Sequence, residues 1–246
     1  MLDFLSGIYL IPNVNGTVKI RTALMLSQVM KITYPSGFQI QHVDILAKVE
    51  KAAIDMVWQQ SQSFQIFGVQ IAICLCKGKD LMNCMVFNNL ARLLKVSKYR
   101  EVRKIIIKLM KFPTFIREPI SEDDKNKEYK LELKNSIIRI VGSRLLDSEP
   151  DVRYEAYQKL ISLNIKIEDF DCPDTRMIIF KEGMTDVDPK VKNACIQFLT
   201  PSIVRQVEVE VNKEDFKSKA KQQKEINTKR RKSNVAYIAK NAQRDS

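Results

Sequence analysis

The residues best able to do chemistry in this 246-residue chain are its cations. Lys19 and Arg21, then Arg100 with Arg103 and Lys104, then Arg153, then Lys190 with Lys192 each stand at or beside the start of a segment with helical apolar spacing. Lys229, Arg230, Arg231 and Lys232 form an unbroken run before Ser233. Cations that recur once per structural unit suit the tracking of phosphates, because such affinity is electrostatic and indifferent to base order. The formal net charge of +12 points the same way, to a polyanion or an anionic membrane surface. A second reading stays open for an Arg that follows Val downstream of an Asp-Pro turn: it bonds an Asp of the neighbouring unit and serves as a rung of the repeat. That reading applies first to Arg153, with Asp147 or Asp186. Arg100, Arg103 and Lys104 have fewer acids near them in sequence and are the better phosphate ligands.

Catalytic chemistry finds no materials. His42 is the one histidine, so neither a Ser-His-Asp or Cys-His arrangement with an orienting partner nor a His-rich metal site can be assembled. Cys74, Cys76 and Cys84 do not have zinc spacing and lie among apolar neighbours, where free thiols pack as core. The string CKGKD lacks the first glycine and the Ser or Thr of a phosphate loop, and reads as a helix end. Glu122, Asp123 and Asp124 are consecutive on a charged loop, which suits solvent rather than acid/base pairing. The expectation is no enzyme, no cofactor, no metal and no small-molecule substrate.

The elements that must position the cations are written as a repeat. SRLLDSEPDVRYEAYQKL (Ser143 to Leu160) and KEGMTDVDPKVKNACIQFL (Lys181 to Leu199) match with a constant offset: Asp147 with Asp186, Pro150 with Pro189, Val152 with Val191, Arg153 with Lys192, Leu160 with Leu199, each 39 apart. The Asp ends one helix, and Pro in the first turn of the next needs no N–H partner. Val152, Ala156, Tyr157 and Leu160 share one face, and Val191, Cys195, Ile196 and Leu199 take the same places. A period near 40 with two helices per unit belongs to HEAT and armadillo arrays, whose units cover one another's apolar faces.

The expected fold is therefore all-α, a HEAT-repeat α-solenoid of about five helical hairpins, with second helices starting at Val18, Phe67, Val102, Val152 and Val191. Seven glycines and no long β-branched alternation agree with it. Leu2 to Leu10 reads as a short helix, Val43 to Trp58 as another, and Met82 to Leu94 with Tyr99 to Met110 as a pair. Val18 and Ala23, Leu26 and Met30 are expected inward. Phe67 to Leu75 carries Gly68 where a basic residue is expected, a decayed copy. A charged insertion at about 118–134 is read as a flexible loop leading into the helix before Leu145.

Residues 1–211 make the solenoid and 212–246 a basic, flexible tail that carries +7 of the +12. The run Lys229 to Lys232 reads as a nuclear-import or polyanion-binding patch, as the recognition site of a basophilic kinase acting on Ser233, or as a solvated tail. No stretch of 18 apolar residues exists, Asp3 stands where a signal peptide needs positive charge, and five cysteines lack a disulfide framework. The expected compartment is cytosol or nucleus, which leaves the Asn15-Gly-Thr sequon without use.

The same residues carry a resemblance. Val102-Arg103-Lys104, then Ile140-Val141-Gly142 through Arg144 and Asp147, then Val152-Arg153 through Ala156-Tyr157 and Leu160, then Gly183-Met184 through Asp186, Val191-Lys192 and Ala194 follow in an order similar to the N-terminal HEAT region of the CAP-G family, the non-SMC HEAT components of condensin. The likeness spans Val18 to Leu199 and is to a short or divergent form. Gly68 in place of the family's Arg and the acidic insertion are its departures. What it implies is a condensin component without enzymatic activity that pairs with the kleisin and, through it, the SMC subunits. Such a component holds double-stranded DNA in a basic groove during mitotic chromosome condensation, in the nucleus and on chromosomes with a cytoplasmic pool. Lys19, Arg21, Arg100, Arg103, Lys104, Lys190, Lys192 and the tail cluster would then be the duplex contacts. The rivals are a HEAT adaptor that binds a peptide, its tail an import signal, and a scaffold at a membrane or vesicle coat.

Overall fold

The computed structural model describes residues 1–34, 43–77, 79–118 and 124–204. It is all-α, with no strand among the described residues: α1 Leu2–Leu10, α2 Gly16–Thr33, α3 Val43–Trp58, α4 Gln62–Cys76, α5 Met85–Val96, α6 Arg100–Leu109, α7 Lys127–Gly142, α8 Pro150–Ser162, α9 Pro173–Met184, and α10 at 189–204. Local chemistry sets several boundaries. Asn15 caps α2, its Oδ1 accepting the Thr17 N–H at 2.9 Å, which gives the sequon asparagine a structural role. Pro150 and Pro173 occupy the first turns of α8 and α9. Asn164, beyond the end of α8, takes a left-handed φ of 54°, a conformation asparagine tolerates better than most residues.

The helices form a helical-repeat solenoid of hairpins. α1 pairs with α2, α3 with α4, α5 with α6 and α7 with α8, while α1, α3, α5 and α7 stack as one layer and α2, α4, α6 and α8 as the other. The interior between the layers is filled by Leu26, Met30, Met56, Ile71, Leu75, Leu90, Leu94, Ile106 and Tyr157, each almost wholly buried. The chain divides into two compact units, Met1–Phe198 and Leu199–Ser246. Of the second, only 199–204 are described, and they are helical. The boundary expected at 211, the tail cations Lys229, Arg230, Arg231 and Lys232, the candidate kinase site Ser233, His42 and the carboxylates Glu122 and Asp123 lie outside the described residues.

All five expected second helices are present, and their first turns define a shared register. Lys19, Gln65, Arg103, Arg153 and Lys192 each stand fourth in their helix. Gln65, not Gly68, is therefore the residue of α4 that corresponds to the basic position. Gly68 instead lets α4 close on α3, because a Cβ there would lie 2.8 Å from both Met56 Cβ and the Val57 nitrogen. Two residues expected inward face out: Val18, 46 % exposed in a helix that packs only on α1 and α4, and Ile196, whose place in α10 is taken by Ala194 and Phe198. The insertion is not a loop throughout. Its second half, from Lys127, is the first two turns of α7, whose inner face begins at Leu133.

Candidate functional site

The fourth-position side chains make a ladder, and its chemistry decides which cations are available. Arg103 is 6 % exposed. Its Nε and Nη2 donate to the two oxygens of Asp147 at 2.9 and 2.7 Å, and Nη1 donates to the Ser97 carbonyl at 2.8 Å. Arg153 repeats this one unit on, with Nε and Nη2 on Asp186 at 2.7 and 2.8 Å and Nη1 on the Asp147 carbonyl at 2.8 Å. Gln65 is a neutral version: its Nε2 donates to the Gln59 carbonyl at 2.9 Å and its Oε1 accepts from Ser97 Oγ at 2.9 Å. Each rung thus binds its own hairpin turn through a carbonyl and the next hairpin's turn through a side chain.

Planar, bidentate guanidinium–carboxylate pairs favour both charged forms. Arg153 is raised above its ordinary pKa, chiefly by its hydrogen bonds to Asp186. Burial pushes Asp186 up, but the bonds from Arg153 and the Asp188 N–H outweigh it, and its carboxyl is held below the usual range.

Arg103 is accordingly not a phosphate ligand, and the expectation that it, Arg100 and Lys104 lack nearby acids is corrected. Arg100 lies 3.5 Å from Glu101 and 3.9 Å from Glu149, and Lys104 Nζ lies 3.3 Å from Asp151. The acids come mainly from the turn that starts the next unit's second helix, far along the chain, so a search of sequence neighbours misses them. Arg153 takes the structural role. Lys19 is half-buried, 3.8 Å from Asp55 and 4.8 Å above the Tyr9 ring. Arg21, Lys190 and Lys192 are exposed, and Arg100 is 60 % exposed despite its two acids. The cations are spread from α2 to α10 as separate residues, with Lys19, Arg100, Arg103, Lys104 and Arg153 beside acids.

A different surface lies where α7, the 3₁₀ turn Ser143–Leu146 and α9 meet. α9 reads DTRMIIFKEGM after its proline and carries four consecutive apolar residues, Met177 to Phe180, yet it buries only Ile179 and Gly183. Gly183 brings it close to α10, since a Cβ there would lie 3.0 Å from Cys195 Cβ. Met177 is left 65 % exposed, Ile178 47 % and Leu146 51 %, with Phe180 also open.

Between α7 and α9 runs a groove of about 650 Å³. Leu131, Ile138, Leu146, Phe170 and Ile179 are its apolar lining, and its charged lining is Glu128, Glu132, Asp169 and Asp171 against Arg139. Asp169 is neutralised by Lys134 at 2.8 Å, while Glu128, Glu132 and Asp171 stand at the rim. This apolar channel with an acidic rim suits a cationic amphipathic segment. Of the run Met177 to Phe180, four consecutive apolar residues that exceed what one helix face can bury, Ile179 lines this groove and the others are exposed on the rest of α9.

Among the described residues no group of three or more His, Cys, Asp and Glu is placed to hold a metal, and no helix is long and apolar enough to cross a membrane. Cys74 and Cys84 are buried as expected, while Cys76 is half-buried.

No family model and no curated protein matches the chain. A solved structure described as an engineered protein of the Northeast Structural Genomics Consortium is similar over 80 % of this chain and 76 % of its own, at 13 % identity and a TM-score of 0.47.

Proposed function

We propose that this chain is a helical-repeat scaffold without catalytic activity whose α7–α9 groove receives a basic amphipathic segment of a protein partner. The observation that carries this is α9 itself, which leaves Met177, Ile178 and Phe180 exposed and buries only Ile179 and Gly183, beside an acid-rimmed channel. Contiguous exposed apolar surface framed by charge is how protein-binding faces are built. The motif order from Val102 to Ala194 supports a finer reading, a condensin-type HEAT component of nucleus and chromosome whose partner segment belongs to a kleisin. Duplex DNA is the second ligand in that reading. The +12 net charge and its concentration in 212–246 support it, together with the exposed Arg21, Arg100, Lys190 and Lys192. Arg103 and Arg153 take no part in it.

The test uses two probes on the full chain: a synthetic Lys/Leu amphipathic helical peptide and a mixed-sequence DNA duplex, each followed by fluorescence anisotropy across a salt series. Leu131→Asp with Leu146→Asp, two half-exposed residues of the groove lining, is expected to abolish peptide binding and leave duplex binding unchanged. Charge reversal at Arg21, Arg100, Lys190 and Lys192 is expected to lower the duplex salt slope alone. Duplex affinity unmoved by that reversal but removed by neutralising Lys229 to Lys232 assigns DNA contact to the tail. No duplex binding at all leaves the adaptor, with the tail as an import signal.

A further inference from the structure

Cys76 and Cys84 are the one pair of thiols among the described residues whose sulfurs meet, with Sγ atoms 3.8 Å apart. Cys76 ends α4, and Cys84 is the N-cap of α5, so both hang on the ends of rigid elements. The turn between them has defined bonds: the Asp80 carboxylate accepts the Met82 N–H at 3.1 Å, and the Cys84 N–H donates to the Leu81 carbonyl at 3.3 Å. Closing the sulfur separation to the roughly 2.05 Å of a disulfide takes a shift of under about 2 Å, within reach of χ1 adjustment at two helix ends.

The two sulfurs have opposite environments. Cys84 Sγ lies in hydrogen-bond contact with Cys76, at the start of α5 and in the field of the Lys79 ammonium, which is itself paired with Glu50. Its pKa is brought down to about 6, chiefly by the hydrogen bond with Cys76 and against the effect of burial, with the N–H groups of the first turn and Lys79 adding to it. Donation to Cys84 and burial push Cys76 up. Of the two sulfurs, Cys84 is the one whose thiolate is favoured. None of the other three cysteines has such a partner: Cys74 is buried, Cys195 abuts the Tyr157 hydroxyl, and Cys172 is exposed and single.

We propose that Cys76 and Cys84 form a peroxide-reactive dithiol, oxidised to an intramolecular disulfide that clamps the α4–α5 turn. Access sets the oxidant's class. Cys76 is half-buried and lines a cleft of about 10 Å³ with Leu81, Phe87 and Lys111, while Cys84 is 6 % exposed and outside that lining, reached only past Cys76, so the class of oxidant is the smallest, a hydroperoxide and not a bulky disulfide. The Cys84 thiolate attacks one peroxide oxygen, the O–O bond breaks, and hydroxide leaves and takes a proton to become water. The resulting sulfenic acid is attacked by the Cys76 sulfur, which releases its proton; the S–O bond breaks and a second water departs. Two electrons pass from two thiols to one peroxide. The inference does not depend on the groove or on any DNA contact.

The full-length chain is treated with equimolar hydrogen peroxide and followed by intact mass and peptide mapping. The expected product has lost two hydrogens, maps to a Cys76–Cys84 link, and reverts with dithiothreitol. At pH 6 it forms roughly tenfold faster in the folded chain than in urea, where both thiols have ordinary pKa values near 8.5. In Cys76→Ser, checked for unchanged helicity, intact mass and peptide mapping show one oxygen added at Cys84; in Cys84→Ser none is added at Cys76. The ultraviolet thiolate absorbance of the native chain that Cys84→Ser removes rises with a midpoint near pH 6. Equal rates in folded and unfolded chains, first oxidation at Cys172, or a link to any other cysteine overturns the proposal.

Discussion

Replacing Arg103 by methionine tests the distinction between a structural rung and a nucleic-acid contact. The side chain is 6 % exposed and makes three hydrogen bonds: two to Asp147 on the next unit and one to the Ser97 carbonyl of its own turn. Methionine keeps much of the volume and removes all three. Asp147, also buried, then retains only Arg144 at 3.3 Å and the Glu149 N–H at 3.1 Å. Breaking one side of a buried pair costs about 3–5 kcal/mol, because the remaining charge stays desolvated.

For a folded unit of this size about 1 kcal/mol moves the midpoint by roughly 2–4 °C, so the loss is on the order of 10 °C in a thermal melt. Arg103→Met with Asp147→Leu is expected to recover part of it, since the Arg103–Asp147 charges are then both removed, while Arg144 and the Glu149 N–H lose their acceptor. Arg100→Met, which removes an exposed cation beside acids at 3.5 and 3.9 Å, is expected to cost at most about 1 kcal/mol. The assay is urea and thermal denaturation by circular dichroism. If Arg103→Met costs no more than Arg100→Met, or the double variant loses the sum of the singles, the ladder does not join the units as described.

Three further outcomes follow from other parts of the molecule. Gly68→Leu is expected to lower stability by about 1–3 kcal/mol in the same urea assay, because even its first carbon lies 2.8 Å from Met56 Cβ and the Val57 nitrogen. Asp186 has a depressed folded pKa, so its contribution is fully present above the unfolded value of about 3.9 and is lost as pH falls through the folded value; acid titration of Asp186→Asn is expected to lack that component. Leu146→Asp alone is expected to leave the melt within about 0.5 kcal/mol, its side chain being half exposed, while weakening the amphipathic peptide at least tenfold by anisotropy.

The sequence made the repeat legible because Asp, Pro, Val and a cation recur with an offset of 39 between two adjacent copies. Where that grammar weakens, the register was lost. In α4 the string FQIFGVQIAICL is apolar at nearly every position, so periodicity carries no phase, and Gly68 stood in for a rung that geometry gives to Gln65. The fate of Arg103 was hidden for another reason. Its partner Asp147 lies 44 residues on, with the charged stretch before α7 between them, and a local count of acids does not reach that far. Arg153 was readable as a rung because its unit and the next keep the regular spacing, bringing Asp186 within the expected turn. The α7–α9 groove needed tertiary structure: the run Met177 to Phe180 shows excess apolar surface on α9, but only the fold brings Ile179 together with Leu131, Ile138 and Leu146 under the rim of Glu128, Glu132 and Asp171.

Hydrogen–deuterium exchange on the full chain, with and without a saturating Lys/Leu amphipathic helical peptide, tests the scaffold reading most directly. Backbone amides of Lys127–Gly142 and Pro173–Met184 are expected to gain protection, and Leu131→Asp with Leu146→Asp is expected to remove the gain. Protection that falls elsewhere, on α2 and α6 for example, or no protection in these two helices while the peptide is bound, contradicts the assignment of the groove as the partner site.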